Sequence, residues 1–216
     1  NNFLKNKKIN VQRIEGFDFC KEIKTDPLLL NKLINDEILS MECSGLRKNI
    51  TAIYGEIGVF LSHKKCWEKI INENIKLTLI LEDGIIFNKQ NFEEYIYSDA
   101  DLIFVNKEMF TCNNQFLGHS TKGYILTKKG AQILLNNITT LEVPIDLQMR
   151  SLCNNNIIKA DCLNKYFCEN NSKKVSSISK CVEISKNPND KQDLDSLSIR
   201  IFKNILSKNI PIQNFL

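Results

Sequence analysis

The sequence lacks an apolar run long enough to cross a bilayer. Every uncharged apolar stretch, including Leu77–Leu81, falls far below the roughly 20 residues that a membrane-spanning helix needs. The first residues, from Asn1 to Lys5, contain neither the apolar stretch nor the small-residue cleavage site of a signal peptide. The chain begins at Asn1 and not at Met, which leaves open what precedes it. We therefore predict no transmembrane segment.

Metal-binding cysteine motifs are also absent. The eight cysteines show no C-x-x-C spacing and no companion histidine at zinc-finger spacing. In a chain of this size they indicate mostly reduced, partly buried thiols, which favours a reducing, cytoplasmic compartment. Three N-x-S/T sequons would be used only in a secretory lumen, which stays the alternative; they begin at Asn49, Asn137 and Asn170.

The sequence has no basic stripe. Its 29 Lys and Arg residues and 25 Asp and Glu residues are mixed along the chain and leave a net charge of +4. Short pairs such as Lys64 and Lys65 are not interleaved with aromatic residues. This pattern describes a solvated surface, so we expect no nucleic-acid partner.

The apolar patterns that are present predict one α/β domain with a mostly parallel sheet flanked by helices. At 216 residues, of which 43% are hydrophobic, the chain can bury a sizeable core. A 3.6-residue period predicts an amphipathic helix over 57–71. Short apolar runs predict buried strands at 77–81 and 102–105. The stretch 123–126 predicts a strand, followed by a helix with Thr127 as its N-cap.

Two carboxylates, Glu82 and Asp83, directly follow the strand predicted at 77–81. In a parallel sheet that strand end is where ligands bind, and paired carboxylates suit Mg²⁺ or Mn²⁺ holding a phosphate. The alternative is an acidic strand-to-loop corner in which Gly84 supplies the turn. These residues alone leave both interpretations open.

Further polar candidates lie on the predicted helices. Ser62 and His63 fall in the middle of the helix at 57–71, and Glu56 precedes it. A single histidine on an amphipathic helix is usually a core or boundary residue with satisfied hydrogen bonds. Asp146 follows a proline at the start of another predicted helix, where it is either an N-cap or a buried acid that binds metal or acts as a base.

The literal Asp-x-Asp of the chain, Asp99 and Asp101, precedes the strand predicted at 102–105. If the strands are parallel, this pair lies at the sheet edge opposite Glu82. We therefore expect these two carboxylates to be solvated and not to bind a metal.

Three segments, in this order and spacing, resemble glycosyltransferase family 25, which includes bacterial lipooligosaccharide galactosyltransferases and procollagen galactosyltransferases. They read Gly-Glu-Ile-Gly-x-Phe-Leu-Ser-His at 55–63, Leu-Ile-Leu-Glu-Asp at 79–83, and Gly-Tyr-Ile-Leu-x-x-x-Gly-Ala at 123–131. The resemblance implies a GT-A type, Rossmann-like nucleotide-sugar-binding domain over 1–178. Residues 179–216 would then form a C-terminal linker and helix.

The resemblance also implies a chemistry and roles for single residues. The donor would be a UDP-sugar, the cofactor Mn²⁺, and the acceptor a hydroxyl of a glycan or of hydroxylysine. Asp146 and Asp83 would be the catalytic residues, with Asp146 as a base or a supporting acid. Glu82 and Asp83 would hold the metal and the donor diphosphate. The donor side would be lined by Glu56, Ser62 and His63.

The sequence departs from the family pattern in two places. The family's acidic motif usually reads Leu-Glu-Asp-Asp, and Gly84 stands where the last Asp would be, so we expect weaker metal binding. The family's first strand, roughly Ile-Asn-Leu, has no counterpart before Ile9. We predict a UDP-sugar-dependent hexosyltransferase that transfers galactose or glucose. The alternative is a weakened or inactive homologue that binds nucleotide or glycan or serves as an interaction module.

Overall fold

The structure is a computed structural model, and it describes residues 12–26, 28–29, 32–33, 36, 50–87, 99–112, 114–163 and 168–170. The linker and helix predicted at 179–216 lie outside these residues.

The chain divides into two compact units. The first comprises Asn1–Gly16, Ser62–Asn137 and Asp146–Lys174, and the second comprises Phe17–Leu61, Ile138–Ile145 and Val175–Leu216.

In chain order, the described residues form two helices, six strands, two further helices and two further strands. The helices are α1 (Phe19–Thr25), α2 (Ile50–Asn72), α3 (Lys128–Asn137) and α4 (Ile145–Asn154). The strands are β1 (Leu77–Leu81), β2 (Ile85–Phe87), β3 (Leu102–Phe104), β4 (Met109–Cys112), β5 (Gln115–Gly118), β6 (Gly123–Thr127), β7 (Ala160–Cys162) and β8 (Cys168–Asn170). None of the described helices is long and apolar enough to cross a membrane.

The largest described sheet has four strands in the order β1-β6-β3-β7. Strand β6 runs antiparallel to both β1 and β3, and only the β3–β7 pair is parallel. The predicted α/β class is therefore confirmed. The predicted mostly parallel arrangement is wrong for the described strands, and the GT-A type of the fold stays a prediction.

The connection between β3 and β6 explains the antiparallel pairing. A parallel neighbour needs a long crossover, usually a helix, that returns the chain to the opposite end of the sheet. Here the described residues between β3 and β6 contain no helix, and they form the hairpin of β4 and β5, whose strands pair antiparallel. Strand β6 therefore starts at the end of the sheet where β3 stops and runs back beside it.

The two faces of the central sheet bury different side chains, as the two-residue period of a strand requires. One face carries an apolar cluster made by Ala100, Ile103, Val105, Ile125, Leu163 and Cys168. The other face carries fully buried side chains, namely Leu102, Phe104, Tyr124 and Leu126. This second face matters for function because Tyr124 lies on it.

Helix α3 begins as the sequence predicts. The Thr127 hydroxyl accepts a hydrogen bond from the Gly130 amide at 2.9 Å, which is the geometry of an N-cap and its third helical residue. The prediction for Thr127 is therefore confirmed.

The second unit has its own buried residues. The rings of Phe19 and Tyr54 lie 5.4 Å apart between centroids, and both side chains are buried. Helix α1 is capped by Asp18, whose Oδ1 accepts a hydrogen bond from the Lys21 amide at 3.1 Å. An aromatic pair and an N-cap thus stabilise this unit locally.

Candidate functional site

The predicted acidic corner lies at one end of the central sheet. Strands β1, β3 and β7 all point toward this end, and β6 starts from it, because β6 is antiparallel to β1 and β3. We call this end the Glu82 edge; its strand-terminal residues are Leu81, Phe104, Cys162 and Gly123. Glu82 follows Leu81 there, and its amide donates to the Lys122 carbonyl at 3.0 Å.

The Asp-x-Asp pair lies at the opposite end of the same sheet, as predicted, because it precedes β3. Asp99 has an 84% exposed side chain and pairs with Lys159. Asp101 is only 8% exposed, and its carboxylate accepts hydrogen bonds from Thr127 at 3.0 Å and Lys129 at 2.7 Å. The prediction of solvated carboxylates is therefore right for Asp99 and wrong for Asp101, which links β3 to the start of α3.

Glu82, Asp83 and Gly84 turn the chain from β1 into β2. Gly84 has a φ of +75°, the left-handed region that favours glycine. The Asp83 side chain is exposed, whereas the Glu82 side chain is 26% exposed. The corner therefore presents one carboxylate to solvent and holds the other against the protein.

Five side chains form a continuous hydrogen-bond path, which we call the His63 network: Trp67, Tyr124, His63, Glu82 and Thr121. The Trp67 indole donates to Tyr124 Oη at 2.9 Å, and Tyr124 Oη lies 2.7 Å from His63 Nδ1. His63 Nε2 lies 3.2 Å from Glu82 Oε1, which also accepts from the Thr121 hydroxyl at 2.6 Å. The path joins the buried face of the sheet to the Glu82 edge.

The surroundings of Glu82 favour its ionised form. Burial by itself raises the pKa of this carboxyl. The hydrogen bond and electrostatic attraction of His63, the Thr121 hydroxyl and the positive charge of Lys122 outweigh it, so the pKa lies below its ordinary value. Both hydrogen bonds use Oε1. Among the described residues none donates to Oε2.

Tyr124 is the deepest member of the network and has no exposed surface. Burial raises the pKa of its hydroxyl well above the ordinary value, and nearby Cys66 and Glu82 add to the rise, while the Trp67 hydrogen bond opposes it. The Tyr124 hydroxyl therefore keeps its proton and can act as a donor.

The structure brings some of the predicted site residues together. Glu82 and His63 are in direct contact, although they lie 19 residues apart in sequence. Ser62 precedes His63 on α2 and is half-buried. Glu56 is half-buried on the same helix, in the second unit.

Asp146 lies apart from the His63 network in its hydrogen bonding. It is half-buried in the first turn of α4, one residue inside the helix, so it is not the N-cap. Its Oδ1 accepts from the next amide, that of Leu147, at 2.9 Å. In the described part of the chain no hydrogen bond or ion pair links Asp146 to Glu82 or His63.

Sequence reasoning missed four participants at this edge. Trp67 was counted only within the predicted helix at 57–71 and Tyr124 only within the stretch 123–131, and Thr121 and Lys122 were not singled out. The spacing of His63 and Trp67, four residues apart on one helix face, is a signal that could have paired them. Their common partner on β6 could not be read from the sequence.

The donor set for a cation is small. In the part of the chain that the structure describes, no group of three or more His, Cys, Asp or Glu side chains could hold a metal ion. Glu82 and Asp83 supply two carboxylates. Two carboxylates fit a Mg²⁺ or Mn²⁺ ion that keeps several waters and shares substrate phosphate oxygens, but not a cage made by the protein alone.

Comparison with known proteins identifies the family. The sequence profile of Glycosyltransferase family 25 (LPS biosynthesis protein) matches residues 1–117. Similar curated proteins include procollagen galactosyltransferase 1-B of Xenopus laevis at 27% identity, procollagen galactosyltransferase 1 of Danio rerio at 29%, and a glycosyltransferase 25 family member of Anopheles gambiae at 35%. Each match covers 38% of this chain and 17% of the relative. Since the matched profile covers more than half of the 216 residues, the chain belongs to glycosyltransferase family 25.

Proposed function

We propose that this protein is a UDP-sugar-dependent hexosyltransferase that transfers galactose or glucose to a hydroxyl of a glycan or of hydroxylysine. Membership of glycosyltransferase family 25 supports a glycosyl transfer reaction. Two relatives that carry the name procollagen galactosyltransferase support galactose as the sugar and a collagen-type protein as one acceptor. The chain spans 17% of the length of each of those relatives, so the activity of the whole relatives is a proposal for this protein.

The observation that carries the proposal is the chemistry of the Glu82 edge. This edge carries the ionised Glu82, whose Oε2 receives no hydrogen bond from a described residue, the exposed Asp83 next to it in sequence, and the nearby positive charge of Lys122. A nucleoside diphosphate needs such a mixture, because a cation and a basic side chain must balance its charge as the leaving group departs. We assign Glu82 and Asp83 to the cation, and Lys122 to the phosphate.

Mn²⁺, when bound, would neutralise the charge that develops on the UDP leaving group. The protein's own residues hold the corner in place: His63 and Thr121 fix one oxygen of Glu82, and the turn at Gly84 leaves Asp83 exposed. Asp146, half-buried at the start of α4, is the candidate base for the acceptor hydroxyl.

A donor panel tests the proposal. Purified protein is incubated with each UDP-sugar, Mn²⁺ and either acceptor glycans or hydroxylysine peptides, and released UDP is measured. We expect turnover with UDP-galactose or UDP-glucose. No turnover with any donor would overturn the proposal, and retained UDP binding in that case would indicate a nucleotide-binding homologue.

A matched pair of variants tests the cation assignment. Asp83→Ala should abolish the Mn²⁺-dependent part of UDP binding in calorimetric titration. Asp99→Ala removes an exposed carboxylate from the opposite end of the sheet and should leave that binding unchanged. Equal binding by wild-type protein and Asp83→Ala would rule out this role for Asp83.

A further inference from the structure

Helix α4 holds strand β5 through two side chains that lie four residues apart. The Asn154 side chain accepts a hydrogen bond from the Phe116 amide at 2.7 Å and donates one to the Phe116 carbonyl at 3.1 Å. The Arg150 guanidinium donates to the Gly118 carbonyl at 2.8 Å. Both side chains bind the backbone of β5, so they fix the position of the strand itself.

The spacing of these contacts sets the direction of α4 along β5. Four residues of an α-helix rise about 6 Å and two residues of a strand advance about 6.6 Å, so the helix and the strand take matching steps. Asn154 contacts the earlier strand residue and Arg150 the later one, which means that α4 runs antiparallel to β5. Extended by one more turn toward the start of α4, the same register places Asp146 beside the residues that follow Gly118.

Gly118 is the residue where the hairpin ends and the loop to β6 begins. Its φ of +83° lies in the left-handed region, and a Cβ there would lie 1.9 Å from a backbone carbonyl oxygen, so this turn requires glycine. The loop that follows, residues 119–122, carries Thr121, whose hydroxyl donates to Glu82 at 2.6 Å. Arg150 therefore binds the chain at the point from which the 119–122 loop departs.

We propose that Arg150 and Asn154 are positioning residues that hold α4 along β5 and so set the Asp146 carboxylate beside the 119–122 loop, at the Glu82 edge. That Asp146 takes the proton of the acceptor hydroxyl there rests on the proposed function. The register of α4 on β5 and the place of Asp146 next to the loop do not rest on it.

The cation corner is held by contacts other than those of α4. The Glu82 amide donates to the Lys122 carbonyl at 3.0 Å, which continues the pairing of β1 with β6 by one residue. At the start of β6, the Asn106 side chain donates to the Gly123 carbonyl at 3.0 Å. Loss of the contacts between α4 and β5 should therefore leave the cation corner in place, so donor binding and acceptor activation should respond differently.

The position of Asp146 is measured on the wild-type protein. Nuclear Overhauser spectra of isotope-labelled protein detect pairs of protons that lie close together in space. We expect contacts between the side chains of Arg150 and Gly118, and contacts between Asp146 and the 119–122 loop. Absence of either set of contacts would overturn the proposal. The measurement needs neither a variant nor a substrate, so it decides the register even if the proposed function fails.

Variants of Arg150 test the positioning role. Arg150→Met keeps much of the side-chain length but cannot donate to the Gly118 carbonyl. We expect the kcat of hexosyl transfer to fall by roughly 10- to 100-fold, the scale on which a small displacement of a catalytic group slows an enzyme. The Kd and the stoichiometry of Mn²⁺-dependent UDP binding in calorimetric titration should stay unchanged. Arg150→Lys keeps a donor at this place and should recover part of the lost kcat.

Two further variants complete this test. Asn154→Ala removes the other contact from an exposed position and should show the same fall in kcat with unchanged UDP binding, so the test does not depend on the folding of one variant. Ser151→Ala changes an exposed residue of the same helix and should change neither quantity.

The outcomes separate this inference from the proposed function. A wild-type kcat in Arg150→Met would overturn the positioning role. Loss of UDP binding in that variant would also overturn it, because Arg150 would then act on the donor and not through Asp146. If the wild-type protein transfers no sugar from any donor but Asp146 contacts the 119–122 loop, the proposed function fails and the inferred register stands.

Discussion

Gly84 combines two effects in one residue. It stands where the family's acidic motif usually has a third carboxylate, and its φ of +75° shows that the turn itself favours glycine. A non-glycine residue in this region costs roughly 1 kcal/mol, although Asp and Asn tolerate it better than others. The absence of the third carboxylate and the left-handed turn therefore have the same cause, which is the glycine at position 84.

Restoring the acid at position 84 separates these effects. We expect Gly84→Asp to lower the free energy of unfolding by about 1 kcal/mol and to tighten Mn²⁺-dependent UDP binding. The Asn side chain of Gly84→Asn has nearly the same shape and backbone cost as the Asp side chain of Gly84→Asp, but it carries no charge. Gly84→Asn should therefore lower the free energy of unfolding equally without tightening Mn²⁺-dependent UDP binding. Urea denaturation and calorimetry measure the two quantities. Equal Mn²⁺ affinity in both variants would show that position 84 does not face the cation.

The lowered pKa of Glu82 makes the free energy of unfolding depend on pH in the acid range. Its pKa is lower in the folded protein than its ordinary value of 4.5, so between the two values the unfolded state binds more protons. The stabilisation is complete above the ordinary pKa and is lost as the pH falls through the folded one. Glu82→Gln should therefore show a shallower fall in the free energy of unfolding as the pH decreases through and below the ordinary pKa of 4.5.

Urea denaturation at a series of pH values checks this prediction. Glu68→Gln, which changes an exposed carboxyl on α2, serves as the control and should keep the wild-type slope. The same slope in Glu82→Gln as in the wild-type protein would contradict the assignment of the shift to the His63 and Thr121 contacts.

At the scale of single elements, helix α2 is the part that makes the network possible. His63 and Trp67 lie four residues apart, so they project from one helix face, and both reach the hydroxyl of Tyr124 on β6. The apolar period predicts the helix, and the spacing predicts the shared face. The sequence does not contain the register that sets Tyr124 opposite them.

Helix α3 contains Gly130, although glycine is less favourable than alanine inside a helix. A Cβ at Gly130 would lie 2.4 Å from the Asp101 carbonyl oxygen and 2.8 Å from Leu126 Cδ1. Alanine gains about 1 kcal/mol in helix propensity, but the clash with backbone costs up to about 3 kcal/mol. We expect Gly130→Ala to lower the free energy of unfolding by about 1 to 2 kcal/mol.

Thermal and urea denaturation test this prediction against a neighbour on the same helix. Gln132→Ala changes an exposed position and should alter stability by less than about 0.5 kcal/mol. A Gly130→Ala variant that is more stable than the wild-type protein would show that the close approach of α3 to Asp101 relaxes without cost.

At the scale of the whole molecule, the described cysteines support the predicted thiol chemistry. Cys66, Cys153, Cys162 and Cys168 are free. Burial is the main cause that raises the pKa of the last three to about 12, against an ordinary value of 9.0. The compartment itself stays a prediction, since unreactive thiols are compatible with more than one.

Alkylation should report this protection. A pKa of about 12 instead of 9.0 lowers the thiolate population at pH 8 by on the order of 1000-fold, and the thiolate is the reactive form. Native protein should therefore label at Cys153, Cys162 and Cys168 at least about 10-fold more slowly than urea-unfolded protein, as read by peptide mass spectrometry, because the higher nucleophilicity of a thiolate of higher pKa offsets only part of its lower population. Burial also raises the pKa of Cys66, but the positive charge of Lys65 opposes this rise. Cys66 should therefore label faster than these three. Equal rates in native and unfolded protein would contradict the prediction.

The sequence by itself determined the local features of this protein. Apolar periodicity is a property of neighbouring residues, and it predicted α2, β1, the β6–α3 junction with its Thr127 cap, and the acidic corner at Glu82 and Asp83. The order of three short motifs was enough to identify the family, which the sequence comparison confirmed. Asp99 and Asp101 were placed at the far end of the sheet from their position before β3 and from the expectation that β1 and β3 run in the same direction, as they do.

Only the tertiary structure decided how these elements meet. Strand order and direction depend on the path of the chain between strands, so the hairpin of β4 and β5 turned β6 antiparallel and made the predicted mostly parallel sheet wrong. That reversal sets the start of β6 beside the end of β1, which brings Thr121 onto Glu82 and Tyr124 onto His63. Hydrogen bonds that join residues 61 and 39 positions apart in sequence leave no local pattern, because they exist only once the sheet has paired.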